Sequence, residues 1–219
     1  MIFTGIALNE IKVKKLTNNN SKDHFISSLK EVLTKTKLRF ILLYAATIMF
    51  AYKYLFAFGQ VYLKDIGITV TIIGILYAIR LLIEGLGGLS SNKLQKLIGQ
   101  KNSFTIIIIY TILILVLLNF VKSIILGAII FSIGFILTGL HRITSQGYIH
   151  KHINSHNRAT IESIIMFVVG LMSIILVPVL GKIADLFSLE LTFVIIAALL
   201  GIYFIHYLFT MNKNKFIAN

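Results

Sequence analysis

The sequence holds no cysteine, a single proline, and charge on only 13% of its 219 residues. The missing cysteine excludes a disulfide scaffold, a Cys-ligated zinc site and a redox thiol. Soluble domains carry roughly a quarter charged residues, because one face of each element must meet water. Here charge is scarce, 57% of residues are hydrophobic and mean hydropathy is +0.90. The N-terminus shows no secretory signal. Met1 to Leu8 is too short for a signal core and is followed by Lys12, Lys14, Lys15 and the run Asn18–Asn20. The nucleotide-cradling pattern G-x-x-x-x-G-K-[ST] does not occur, so an ATP-driven role would need a separate ATPase.

What is there is apolar and continuous. A bilayer core needs about 20 apolar residues of helix per crossing, and inside it every backbone amide must be satisfied within the segment. Six stretches meet that length, at 38–62, 68–89, 104–120, 124–140, 161–180 and 191–210. Charge orders them. Lys and Arg number sixteen in alternate connections and the two ends: Lys12, Lys14, Lys15, Lys22, Lys30, Lys35, Lys37, Arg39, Lys93, Lys96, Lys101, Arg142, Lys151, Arg158, Lys213 and Lys215. The other connections hold three, Lys64, Lys122 and Lys182. By the positive-inside rule both termini are expected in the cytoplasm. The net charge of +13 therefore reports topology, and no nucleic-acid partner is expected. The expected organisation is a cytoplasmic linker at 1–37 with an amphipathic helix at 24–37, an all-α integral membrane bundle of six helices at 38–210, and a cytoplasmic tail at 211–219. In the amphipathic helix Phe25, Ile26, Leu29, Val32 and Leu33 recur at helical spacing opposite lysines.

Ionisable residues at membrane depth need a partner or a task. Arg80 and Glu84 lie four apart on one face of the second span. They read either as a pair lining a polar path for substrate or proton, or as a neutral pair locking that helix to its neighbours. Lys53, between Tyr52 and Tyr54, either lines a cavity or reaches toward the outer surface; Tyr54 and Gln60 are further pathway candidates. Four of six histidines (His141, His150, His152, His156) fall beyond the fourth span. His152 and His156 have a spacing that metal ligands use, but a basic surface loop meeting anionic lipid accounts better for the cluster, and no metal or other cofactor is expected.

The connections carry a resemblance. Gly88-Leu-Ser-Ser-Asn92-Lys93, followed by Gly99-Gln-Lys101, resembles the inner-loop signature of the major facilitator superfamily, with Asn92 in place of the usual Asp. Arg142, Thr144 and Ser145, then Arg158-Ala-Thr-Ile-Glu162-Ser163, then Pro178-x-x-Gly181-x-x-x-Asp185, resemble the region around the eleventh helix of bacterial drug-efflux members. Asn157 is placed to cap that helix, with Glu162 near Arg158 and Pro178 near the outer end. The resemblance implies one half of such a transporter, the C-terminal six helices with their 3+3 inverted repeat.

It further implies a secondary active transporter half in the cytoplasmic membrane. That half would move a small solute or drug by alternating access with proton or ion coupling, and would not be an enzyme. Gly88, Asn92, Lys93, Gly99, Arg142, Arg158 and Glu162 would form an inner gating network, and Pro178, Gly181 and Asp185 an outer helix-end motif. Partners would be the bilayer, the substrate, and a separate N-terminal six-helix half or a second copy. The alternatives are a truncated membrane fragment that transports nothing and a six-span ABC-type membrane subunit.

Overall fold

A computed structural model describes residues 21–153 and 155–213. The described residues form seven helices: α1 (Ser21–Thr34), α2 (Thr36–Asp65), α3 (Val70–Phe120), α4 (Ile124–Ile133), α5 (Thr138–His152), α6 (Ser155–Leu186) and α7 (Leu189–Lys213). No strand occurs among them. Five segments are apolar and long enough to cross a bilayer, with α4 and α5 counting as one.

The sixth crossing is folded into α3. Its 51 residues extend to about 75 Å if straight, more than twice a bilayer core. Gly99 interrupts it with φ 80° and ψ 160°, a backbone region essentially reserved for glycine. The contacts on either side of Gly99 run in opposite senses. Before it, Arg80 lies over Phe135, and Gly87 and Gly88 meet Ile136 and Gly139, so both segments ascend together. After it, Gln100 bonds Thr144 while Tyr110 bonds Ile133, so one ascends as the other descends. α3 therefore doubles back at Gly99 and crosses twice. This gives six antiparallel crossings, with the lysine- and arginine-rich connections gathered at one end, called here the basic end.

Helices run further than the apolar stretches. Residues 90–98, read as a connection, continue the first arm of α3 as helix to Gly99. The histidine segment is likewise helix rather than loop, since α5 continues to His152 and buries His141. α4 and α5 are joined by a turn over 134–137, where Tyr110 donates to the Ile133 carbonyl at 2.6 Å and Thr138 to that of Phe135 at 2.6 Å. Those bonds satisfy carbonyls that the break would otherwise leave bare at membrane depth. α1 ends at Thr34, one residue short of α2, and packs on α2 and α6; Val32 is buried and Ile26 and Leu33 are exposed.

α2 is the hub, touching each of the other six helices. At the basic end it carries Phe40 and Tyr44 into an aromatic cluster with Phe104, Tyr148 and Tyr207. At the far end Tyr62 donates to the Val121 carbonyl at 3.0 Å, tying α2 to the α3–α4 turn. Small residues allow the closest approaches, as membrane bundles require where lipid offers no hydrophobic drive. A Cβ on Gly139 would lie 2.5 Å from the backbone of Gly88, and one on Gly87 would lie 2.1 Å from the Ile136 carbonyl oxygen. A Cβ on Gly88 would meet nothing within 4 Å.

That asymmetry is testable. Gly139→Ala and Gly87→Ala should each lower stability by about 1–3 kcal/mol through overpacking, read as a fall in thermal unfolding temperature in detergent. Gly88→Ala, in the same contact, should leave the unfolding temperature unchanged. Equal effects at all three positions would contradict the packing.

Candidate functional site

A cavity of about 390 Å³ opens between α2, the first arm of α3, α5 and α6. Its walls are largely apolar (Met49, Phe56, Phe135, Ile165), and into them project Lys53, Arg80, Glu84, His141, Arg142 and Glu162. Three of the expected pathway residues and two of the expected gating residues thus share one space.

Arg80 is its most constrained member. Its guanidinium carbon lies 4.6 Å from the Phe135 ring centroid, 5.0 Å from Phe56 and 5.8 Å from Tyr77, a three-sided aromatic enclosure that attracts a cation. One terminal nitrogen donates to the Glu84 carboxylate at 3.1 Å. The Arg80 side chain is 10% exposed and that of Glu84 is 31% exposed, so the pair has a buried end and an end open to the cavity. The pairing offsets the cost of a charge at this depth. It leaves Arg80 Nε, and the Ser145 hydroxyl on the opposite wall, buried without a partner among the described residues.

Lys53 donates to the Ser173 hydroxyl at 3.2 Å, bridging α2 to α6, and lines both this cavity and an adjoining apolar cleft. Tyr54 points elsewhere: it is buried, donates to Thr192 on α7 at 2.8 Å and stacks on Phe58. It lies outside the main cavity and borders the adjoining cleft with Lys53. Gln60 lies near the far end beside the Tyr77 hydroxyl, outside the cavity lining.

The remaining expected residues divide. Arg142 and Glu162 line the cavity near the basic end. Gly88 underlies Gly139, Gly99 makes the reversal, and Asn92 and Lys93 are exposed on the extended arm of α3. Arg158 donates to the carbonyls of Ile153 at 3.2 Å and His150 at 3.0 Å, capping the end of α5 instead of pairing with Glu162. Asn157 does not cap α6. It lies inside the first turn, and its amide donates to Glu31 of α1 at 3.5 Å. Pro178 is within α6, which runs on to Leu186; Gly181 and Asp185 border a separate hollow at the far end with Asp65 and Glu190.

His141, Thr138, Ser145 and Gln146 also line the cavity and were not foreseen. Their spacing of three to four residues was visible, and becomes a single polar face once the crossing is extended to His152. His150 and His152 lie beyond the cavity lining, and the His156 side chain is outside the described residues. No group of three metal-ligating side chains occurs among the described residues.

Compared with known proteins, residues 2–177 match the family model described as Major Facilitator Superfamily. No curated protein matches the chain.

The pair predicts a non-additive response. Glu84→Leu alone should be more destabilising in a detergent melt than the double change Arg80→Met with Glu84→Leu, because the single change strands a buried cation. A coupling of about 1 kcal/mol or more is expected. Additive losses would mean that the two side chains do not support each other.

Proposed function

The chain belongs to the major facilitator superfamily of membrane transporters, and we propose that it acts as a six-helix half of a secondary active transporter. On this reading it moves a small solute or drug across the cytoplasmic membrane by alternating access, coupled to a proton or ion gradient. The observation that carries the reading is the cavity holding the Arg80–Glu84 pair, apolar in its walls and polar at a few convergent points. Transporter sites of this kind lie near the midplane at the junction of two halves. The partly exposed Met166 on the cavity's α6 wall and the exposed row Leu82, Leu86 and Leu89 on α3 suit contact with a second helical body, either a separate N-terminal half or a second copy.

Arg80 and Glu84 take complementary roles. With Glu84 ionised, the pair is closed and the guanidinium is engaged. Protonation of Glu84 removes the charge that holds Arg80, leaving the guanidinium to a substrate group in the cavity. Arg142 and Glu162 stand nearer the basic end, where gating contacts between halves would form and break. The count of sixteen basic residues against three supports a cytoplasmic position for that end.

Three measurements test this. In cells, transport should be seen when the chain is co-expressed with an N-terminal six-helix half, and absence of uptake or efflux both with that half and alone would refute the reading. Arg80→Ala should reduce transport by more than about tenfold, whereas Glu84→Gln should retain solute exchange and lose its dependence on the proton gradient. For orientation, the cysteine-free background allows single reporters: Ser123→Cys should react with a membrane-impermeant maleimide on intact cells and Lys96→Cys only after permeabilisation. The reverse pattern would invert the topology.

A further inference from the structure

A second hollow of about 580 Å³ lies between the start of α2 and the end of α7, away from the transport cavity. We propose that it is a binding site for an anionic phospholipid, with the lipid phosphate held by Arg39. The groove has a polar end and an apolar flank. Thr36, Arg39, Tyr203 and His206 supply the polar groups, and Leu43 and Phe209 supply exposed hydrocarbon, with Leu43 39% and Phe209 72% exposed. No acidic residue lines it, and among the described residues no carboxylate pairs with Arg39. The guanidinium is therefore a cation with its donors available, and its planar fork matches phosphate oxygens bidentately.

Position selects lipid over a soluble anion. Arg39 is the fourth residue of α2, and Thr210 lies in the last turn of α7, so the groove sits at the ends of two crossings. That is the depth of headgroups, with the acyl region beginning about one helical turn further in. Leu43 is one turn along α2 from Arg39 on the same face, so a phosphate on the guanidinium directs its acyl chain along Leu43 and Phe209. A free phosphate would use the polar end and leave that apolar wall unused. The basic end is also the end that attracts anionic lipid.

The test uses the full chain purified in detergent, with native mass spectrometry during titration by dioleoylphosphatidylglycerol or dioleoylphosphatidylcholine. Phosphatidylglycerol should be retained preferentially. Arg39→Gln should lower its retention by about tenfold without altering that of phosphatidylcholine. Lys96→Gln, which removes an exposed charge from the basic end outside the groove, should leave retention unchanged. Millimolar inorganic phosphate should not displace the lipid. Equal retention by Arg39→Gln and parent, an equal loss in Lys96→Gln, or displacement by inorganic phosphate would each overturn the assignment. A thermal melt of Arg39→Gln matching the parent should accompany the loss, since Arg39 is exposed and its removal costs no packing.

Discussion

Backbone meets backbone where Gly139 of α5 lies against Gly87 and Gly88 of α3, and the cavity's geometry follows from that contact. Side chains of ordinary size there would hold the two helices apart. The Arg80 guanidinium would then lose Phe135, the closest of its three aromatic neighbours. The same approach brings Glu84 to the wall carrying Thr138 and His141. In a bilayer, where apolar side chains are as comfortable against lipid as against protein, such close approach supplies much of what holds helices in register.

Charge inside the bundle is handled by three different means. Arg80 is neutralised by Glu84 and wrapped by rings, Lys53 is satisfied by a hydroxyl across a helix interface, and Lys122 near the far end pairs with Glu190 at 2.6 Å. The last ties the α3–α4 turn to the first turn of α7 with its lysine open to solvent, so screening leaves it little energetic weight. The first is costly to assemble and to disrupt, since it holds a buried cation whose Nε has no partner among the described residues.

Much of this was legible in the sequence because a bilayer converts hydropathy into a one-dimensional signal. The six crossings and the Arg80–Glu84 pairing needed only local information: run length and an i, i+4 spacing within one helix. Helix ends were less legible. An apolar window stops where charge begins, yet the helical backbone of α3 continues past Asn92 and Lys93 and that of α5 past His141, because amphipathic turns remain good helix beyond the hydrocarbon. The partners of Lys53, Tyr54 and Asn157 depend on rotation and on contacts 120, 138 and 126 residues away, which no local pattern encodes. The superfamily resemblance correctly anticipated membership, and it grouped Arg142 and Glu162, which share the cavity, with Arg158, which serves the backbone.

α1 touches both α2 and α6, the two helices on either side of Lys53, and does so outside the apolar crossings. Glu31 stands at the crossing point, bonded to Lys35 at 2.5 Å on one side and to Asn157 at 3.5 Å on the other. Parting α2 from α6 at the basic end must therefore break the Asn157–Glu31 contact, and a single non-helical residue, Lys35, separates α1 from α2.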